Sequence, residues 1–493
     1  MSLPPSPQDR SQRVTMIGLD FGSTTSSAMA ATAAVGLSCA TGRMEFGLPR
    51  VIYRSDPVFT PFNGQEIDTG RLDRLIEQWL TESGVQIEDL FAGGVIITGL
   101  AAKRANAAAV ARLVGRRIGE TVVATADDPC LESWLAFMGS CSVLSRFHAE
   151  TPFVNIDIGG GTTNPALGIN GNVLCTGCHF VGARHFQFEP GTYRLIGMST
   201  YGRALLDELG IRKNAGVQLT PAETEAILDF YIAALEAIAS GNPRFFDSPI
   251  GRVHQQVPFA FQTISAPGVL VFSGGVGELI YRKSRGDALP GTTHYGDLGI
   301  DLAERILRSP ILAADVDTYV PENLGRATVY GLTLHSTEIS GATIFLSSPD
   351  LLPLSDLPIV ARLPLDADAG EMRRALSLVK TGLNGACIQL LPAHSDRRPL
   401  ARGAGGEERL DLKAIKNFAR LLSQACDETD PGQPIVILVP GNYGKALGSY
   451  ASHWRQSPHR FLVIDEIPDR QAHFVNIGRS RDQIVPVSFY GVC

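Results

Sequence analysis

FVNIDIGGGTT, residues 153–163, joins an apolar run to an acid and three consecutive glycines. The apolar run has the length and β-branched character of a buried strand. Three glycines after such a strand weaken the fold through their backbone entropy, so the close approach of a ligand explains them best. A turn of glycine and small hydroxyl residues presents backbone N–H groups that bind phosphate. The stretch therefore predicts a buried strand that ends in a phosphate-binding turn.

Two similar turns occur elsewhere in the chain, one before this stretch and one after it. The apolar run at residues 14–20 continues as Asp20, Phe21, Gly22, Ser23, Thr24 and Thr25. A predicted strand at residues 269–272 continues as Ser273, Gly274, Gly275, Val276, Gly277 and Glu278. Each turn alone is also explained by a tight strand–helix connection. Three of them in this order, across two halves that each open with a strand, an acid and a Gly/Thr turn, favour the binding of ATP.

The three turns divide the expected contacts to the nucleotide among them. Phosphate is expected at two sets of donors: Gly22, Ser23, Thr24 and Thr25, then Gly159, Gly160, Gly161 and Thr162. The backbone at Gly274, Gly275 and Gly277 is expected to lie flat against adenosine, with Glu278 bonded to the ribose or the base. Mg²⁺ takes oxygen ligands, often through water, so Asp20 and Asp157 at the strand ends are the expected metal residues.

Other nucleotide-binding motifs fit the sequence less well. The Walker pattern GxxxxGK[ST] is absent, because the segment GNYGK at residues 441–445 is too short. No GxGxxG follows the first predicted strand, which disfavours a dinucleotide-binding fold.

Hydrolysis of ATP requires a residue that orients water in line with the γ-phosphate. Glu132 is the candidate, because it opens a predicted helix 25 residues before Asp157. A strand predicted at residues 121–125 precedes this helix, and its end points into the cleft between the halves. The predicted catalytic residues are therefore Glu132 and Asp157. The competing interpretation of Glu132 is a glutamate that favours the dipole of a helix N-terminus.

The order of the predicted elements divides the chain into four segments. Residues 1–13 are polar and proline-rich and are expected to be disordered. Strands followed by alternating strands and helices occupy residues 14–152, and the pattern restarts in residues 153–340. Short strands that alternate with helices at residues 341–493 indicate a separate domain. The predicted fold class is α/β, with two similar halves and an additional C-terminal α/β domain.

Composition limits the classes of partner. The chain has 493 residues, of which 44% are hydrophobic and 19% charged, and its net charge of −7 does not favour nucleic acid. No apolar run approaches the roughly 18 residues of a membrane-spanning helix. The N-terminus lacks the apolar core of a signal peptide. Eight scattered cysteines favour a reducing cytoplasm over a disulfide scaffold. We expect a cytoplasmic protein without nucleic-acid or membrane partners, and a homo-oligomer is compatible with the sequence.

Cys175 and Cys178 form a lone CxxC that is followed by His179. A structural metal site needs more ligands than these, and the sequence has no second CxxC. A turn between two strands is therefore favoured over a metal or redox site.

The three turns resemble the two phosphate motifs and the adenosine motif of the superfamily of actin, sugar kinases and heat-shock chaperones. This resemblance implies two ribonuclease H-like, actin-type ATPase halves. In the chaperone ATPases a glutamate precedes the second phosphate motif by a similar interval, which supports a catalytic role for Glu132.

A narrower resemblance extends over nearly the whole chain. Segments similar to the ethanolamine ammonia-lyase reactivating factors, the EutA family, are VIITG (95–99), LES (131–133), NIDIGGGT (155–162), SGGVGE (273–278), SGATI (340–344), GKALG (444–448) and IDE (464–466). The resemblance implies a chaperone-like ATPase that uses ATP/ADP and Mg²⁺, with ethanolamine ammonia-lyase as its partner. The implied task is to release damaged cobalamin from that enzyme, so that intact adenosylcobalamin enters.

One position departs from the family pattern. A glutamate is expected after VIITG, and this chain has Leu100 there. Hydrolysis would then depend on Glu132 or be slow. Two other functions stay open: an actin-like small-molecule kinase, for which the expected loop offers no compelling aspartate base, and a scaffold that holds nucleotide without turnover.

Overall fold

The structure is a computed structural model, and it describes residues 12–492 except 23–24, 39–42, 64–65, 98–106, 119–128, 262–267, 342, 381, 383, 392–411 and 482–483. Some predictions therefore lie outside the described residues: the disorder of residues 1–11, the strand at residues 121–125, and the roles of Ser23, Thr24 and Leu100.

The first half is built on a mixed sheet with two helices. Its strands are β1 (Gln12–Phe21), β2 (Thr25–Leu37), β3 (Met44–Phe46), β4 (Arg50–Arg54), β5 (Val58–Phe59), the small hairpin β6 (Phe62–Asn63) and β7 (Glu66–Ile67), and β8 (Leu90–Ile97); its helices are α1 (Thr69–Ser83) and α2 (Ala107–Ile118). Strand β1 is antiparallel to β2 and parallel to β8. Because β1 begins at Gln12, residues 12 and 13 belong to the sheet and not to a disordered segment.

The second half repeats this arrangement. Its strands are β9 (Phe153–Ile158), β10 (Thr163–Ile169), β11 (Asn172–Thr176), β12 (Cys178–His179), β13 (Phe186–Phe188), β14 (Leu195–Met198), β15 (Gln255–Val257) and β16 (Val269–Ser273). Strand β9 is antiparallel to β10 and parallel to β16, as β1 is to β2 and β8. The helices are α5 (Thr200–Glu208), α6 (Pro221–Ala239), α7 (Pro249–Val253), α8 (Gly274–Ser284) and α9 (Gly299–Arg308).

Local signals account for several boundaries in this half. Helix α6 begins at a capping box, in which Thr220 accepts from the Glu223 N–H and the Glu223 carboxylate accepts from the Thr220 N–H. The turn between β10 and β11 has positive φ at Asn170 and Gly171, as a two-residue hairpin turn requires. Both features follow from the local sequence, Thr-Pro-Ala-Glu at residues 220–223 and Asn-Gly at residues 170–171.

Two helices connect the halves and cross each other. They are α3 (Pro129–Ser140), which is followed by the short α4 (Ser142–Phe147), and α10 (Ala327–His335). The two helices pack against each other, and α10 also packs on β1, β2 and β8 of the first half. A Cβ atom on Gly139 would clash with the carbonyl of Ala327, and one on Gly331 would clash with that of Leu135. The missing side chains let the two backbones touch.

The C-terminal domain is a further α/β layer. Its strands are β17 (Thr337–Ile339), β18 (Phe345–Leu346), β19 (Leu354–Leu363), β20 (Ala386–Leu390), β21 (Ile435–Leu438), β22 (Phe461–Ile464), β23 (Ala472–Ile477) and β24 (Pro486–Val492); its helices are α11 (Ala369–Val379), α12 (Leu412–Thr429) and α13 (Gly444–Ala451). The sheet order is β17-β24-β23-β19-β20-β21-β22-β18, with β19 to β22 parallel.

The predicted fold class, α/β with two similar halves and a C-terminal α/β domain, is confirmed. The expected boundaries at 153–340 and 341–493 stay predictions. Helix α10 packs on the first half, and β17 pairs with β24, so the C-terminal sheet begins before residue 341. None of the helices in the described part of the chain is long and apolar enough to cross a membrane.

Candidate functional site

Asp157 and Ser273 lie side by side at the ends of the parallel strands β9 and β16. The Ser273 hydroxyl donates to Asp157 Oδ1 at 2.6 Å, and the Asn155 amide donates to Ser273 Oγ at 3.0 Å. All three side chains are buried. The second and third predicted turns therefore leave the sheet next to each other, as one ligand in contact with both requires.

The Asp157 carboxyl is in an environment that disfavours its charge. Burial raises its pKa to about 6, and the hydrogen bond from Ser273 opposes this rise. A cation beside the carboxylate would offset the cost of desolvation, and carboxylate oxygens are ligands that suit Mg²⁺. The chemistry of Asp157 thus fits the predicted metal role, which stays a prediction.

The glycine turn after β9 closes on itself and is fixed from behind. The Gly159 N–H donates to the Thr162 carbonyl at 2.9 Å. The N–H groups of Ala183 and Arg184 donate to the carbonyls of Gly159 and Gly160. These bonds fix the turn against the protein, and its binding of phosphate stays a prediction.

Gly182 lies directly against the glycine turn. A Cβ atom at Gly182 would lie 2.6 Å from the Gly160 carbonyl oxygen. The approach of the protein's own backbone, and not only that of a ligand, therefore requires small residues here.

The first turn joins β1 to β2. Its Gly22 N–H donates to the Thr25 carbonyl at 2.9 Å, and Asp20 is partly buried at the end of β1. Thr60, which the sequence analysis did not single out, donates from its hydroxyl to the Gly22 carbonyl at 2.6 Å and also contacts the Ser26 hydroxyl. The turn is thus a short hairpin that a threonine from a neighbouring segment holds in place.

The third turn forms the first turn of a helix, whereas the sequence suggested a flat backbone segment. Helix α8 begins at Gly274, which has φ +80°, and a Cβ there would lie 2.5 Å from the Ile158 carbonyl oxygen. Gly275 is exposed, with no atom within 4 Å of a Cβ built on it. Gly277 packs against Phe272, and Glu278 is half-buried against Gly325. Only Gly275 of the three glycines therefore presents open backbone.

Glu132 lies in the first turn of α3 and is buried. Its neighbour Ser133 donates to the Gly177 carbonyl at 2.6 Å, which ties the start of α3 to the sheet of the second half. The buried position of Glu132 suits a residue that orients one water molecule. Its catalytic role stays a prediction.

Arg184 joins the second turn to the first half, a role that the sequence did not indicate. Its backbone N–H holds the Gly160 carbonyl, while its guanidinium lies 5.8 Å from the centre of the Phe59 ring in β5. Tyr295 and Asp297 accept hydrogen bonds from the same guanidinium. No sequence motif marks these residues, because their contacts depend on how the two halves meet.

The CxxC segment spans the connection from β11 to β12, with Gly177 between the strands. Both cysteines are thiols. The favoured interpretation, a turn between two strands, is confirmed. Within the described residues, no group of three His, Cys, Asp or Glu side chains is placed to hold a metal ion.

Two known proteins are similar to this chain over nearly its full length. The chain is 28% identical to "Ethanolamine ammonia-lyase reactivase EutA" of Escherichia coli over 487 residues, which covers 96% of this chain and 97% of that protein. The protein of the same name from Salmonella typhimurium is 29% identical, with the same shares covered.

Solved structures resemble the chain more distantly. The Aquifex aeolicus PPX-GPPA enzyme is 14% identical, with a TM-score of 0.33, and covers 66% of this chain and 91% of its own. (R)-2-hydroxyglutaryl-CoA dehydratase component A of Acidaminococcus fermentans is 15% identical, with a TM-score of 0.30 and shares of 65% and 97%. Likenesses this distant say nothing about what the chain binds. The model of the family described as ethanolamine utilisation protein EutA matches residues 12–490, and the chain therefore belongs to the EutA family.

Proposed function

We propose that this protein is an ATP-dependent reactivating factor for ethanolamine ammonia-lyase, acting in the cytoplasm. The observation that carries the proposal is the full-length relationship to the curated reactivases, which includes the C-terminal domain as well as the two halves. A nucleotide-binding module that occurs in proteins of many functions would explain the similarity of the two halves but not that of the C-terminal domain.

In this proposal the turns bind ATP and Mg²⁺. The β9 turn and the β1 turn hold the phosphates, Asp20 and Asp157 hold Mg²⁺ directly or through water, and the start of α8 faces the adenosine. Mg²⁺ would neutralise charge on the phosphates. Glu132 would orient the attacking water, and its burial keeps other water away from the reaction. Because position 100 is leucine, where the family pattern has a glutamate, hydrolysis in this proposal depends on Glu132.

The proposed cycle uses the nucleotide to change the affinity for the lyase. Closure of the two halves around ATP would move them relative to each other about the crossing helices α3 and α10. A ligand shifts such an equilibrium only by its differential affinity for the two states. The ATP and ADP states would therefore bind the lyase with different strength, and this difference would help release damaged cobalamin in exchange for intact adenosylcobalamin.

A reactivation assay tests the proposal. The lyase is inactivated with hydroxocobalamin and then mixed with the purified chain, ATP, Mg²⁺ and adenosylcobalamin. We expect deamination of ethanolamine to recover with ATP and not with a non-hydrolysable analogue. If activity does not return, the proposal is wrong. Consumption of ATP that requires a sugar or an acid, and not the lyase, would instead identify a kinase.

A further inference from the structure

Trp454, just after α13 in the C-terminal domain, has a large exposed side chain on a strained backbone. Its side chain is 69% exposed. His453, Trp454 and Arg455 all have positive φ, at 46°, 59° and 68°. Non-glycine residues adopt this left-handed conformation rarely, and runs of it are unfavourable. Backbone strain of this kind is concentrated at active sites, ligand-binding clamps and switch regions.

The strained turn is held firmly by its surroundings. The Trp454 N–H donates to the Ser449 carbonyl at 2.7 Å, and the Arg455 N–H donates to Ser452 Oγ at 3.0 Å. The His453 ring contacts the Ser423 hydroxyl on α12 at 2.9 Å. These contacts fix the backbone from which the indole projects before any partner arrives. A preorganised aromatic side chain loses little entropy on binding.

One further aromatic ring contacts Trp454, and exposed cations lie on α12 and next to Trp454 in the sequence. The Tyr450 ring lies 5.8 Å from it in an edge-on arrangement, and Lys416 Nζ lies 5.1 Å from the centre of the Tyr450 ring. Arg455 lies over the Phe345 ring at 5.4 Å, and Arg420 donates to the neutral Asn417 and Gln424. We call Lys416, Arg420, Tyr450, Trp454 and Arg455 the Trp454 surface.

The charge of this region is opposite to that of the chain. Residues 412–464 contain six lysines and arginines against three acidic residues, Asp427, Glu428 and Asp430, although the chain carries a net charge of −7. Helices α12 and α13 pack against each other, and Lys416 of α12 lies over the Tyr450 ring of α13. The contacts described for Lys416, Arg420 and Arg455 are with neutral groups, so their charges are available to a partner.

We propose that the Trp454 surface is where this protein binds the lyase, through an acidic surface of that enzyme with a recess for the indole. The inference rests on the proposed function. Exposed Trp, Tyr and Arg are the residues that contribute most to protein–protein affinity. A basic surface selects an acidic partner, and two copies of this surface that face each other in a symmetric dimer would repel.

Binding of the purified full chain to purified ethanolamine ammonia-lyase, measured by biolayer interferometry with ADP and with ATP, tests the inference. We expect Trp454→Ala to weaken binding about tenfold or more. The double variant Lys416→Glu with Arg455→Glu should weaken it further and flatten its dependence on salt. Phe147→Ala is the matched control, because Phe147 is 83% exposed and distant from Trp454 in the sequence. ATP turnover without lyase should not change in any of these variants.

The outcomes separate the inference from the proposed function. Wild-type affinity in both the Trp454→Ala and the charge-reversal variants would overturn the inference and leave the proposed function intact. A wild-type chain that binds the lyase in neither nucleotide state would overturn both.

Discussion

Ser273 donates a 2.6 Å hydrogen bond to Asp157 Oδ1, and the two residues are direct neighbours on the parallel strands β16 and β9. This bond joins β9, which ends in the glycine turn, to β16, which leads into α8. It also opposes the rise of the Asp157 pKa that burial causes. A single serine therefore links the geometry and the charge of the candidate site.

Replacement of Ser273 by alanine should move the Asp157 pKa upward, because the bond that favours the carboxylate is lost. We expect ATP turnover at pH 7 to fall about tenfold, since a hydrogen bond to a charged group contributes about 1.5–3 kcal/mol. The acid limb of the pH profile of kcat/KM should shift to higher pH. Ser377→Ala, at an exposed serine of α11, is the control. If the acid limb does not shift, the protonation of Asp157 does not control turnover.

Asp157→Asn should abolish turnover of Mg·ATP and also stabilise the ligand-free protein at neutral pH. The folded-state pKa of Asp157, about 6, lies above its ordinary value of 3.8. The native state therefore binds the proton more tightly, and wild-type stability decreases as the pH rises from 3.8 to 6. Above pH 6 the cost is about 3 kcal/mol, which asparagine avoids.

Urea unfolding between pH 4 and pH 8 without nucleotide checks this expectation. The stability difference between Asp157→Asn and the wild type should be near zero at pH 4 and reach its full size above pH 6. Asp247→Asn, at an exposed position, should show no such trend. A difference that stays constant over this pH range would contradict the assigned cause.

The sequence predicted the strands that carry the site because each combines a short β-branched run with a glycine turn, as at residues 153–163. The capping box of Thr220 and Glu223 was equally visible, because its chemistry is local. Thr60 and Arg184 were not visible, since each reaches a turn from another segment. The pairing of β17 with β24 across the whole C-terminal domain likewise has no local signal in the sequence.

Gly274 and Gly275 should respond to alanine in opposite ways, although they are adjacent. Gly274 has φ +80° and lies against the Ile158 carbonyl, so Gly274→Ala should destabilise the fold by about 2 kcal/mol or more. Gly275 has open space around it, so Gly275→Ala should leave the thermal unfolding of the ligand-free protein unchanged. If adenosine lies against this backbone, the same variant should weaken the binding of a fluorescent ATP analogue. Unchanged affinity would place the nucleotide elsewhere.

Gly139 and Gly331 should be intolerant of side chains, because the backbones of α3 and α10 touch at these residues. We expect Gly139→Ala and Gly331→Ala each to reduce the free energy of unfolding by about 1–3 kcal/mol, as overpacking does. Gly291→Ala is the control, since a Cβ there meets no atom within 4 Å. Chemical denaturation measures the difference. Stability equal to that of the control would show that the two helices can separate at this crossing without loss.

The buried histidines should make the protein sensitive to acid. Burial lowers the pKa of His179 and of His185 to about 3 and also lowers that of His254, so all three are neutral in the folded state. The free energy of unfolding that depends on these neutral rings is complete above the ordinary histidine pKa of 6.5. It is lost as the pH falls below 6.5, because the histidines of the unfolded state take up protons first. Each histidine with a pKa near 3 should cost about 2 kcal/mol between pH 6.5 and pH 5.

His185→Gln separates this effect from other acid transitions. The variant loses the ring that contacts the Ser199 hydroxyl at 2.7 Å, so it should be less stable than the wild type at pH 7. Its stability should nevertheless fall less steeply on acidification, because one buried titrating group has been removed. His294→Gln, at an exposed histidine, should retain the wild-type slope. Equal slopes for His185→Gln and the wild type between pH 7 and pH 5 would show that His185 does not set the response to acid.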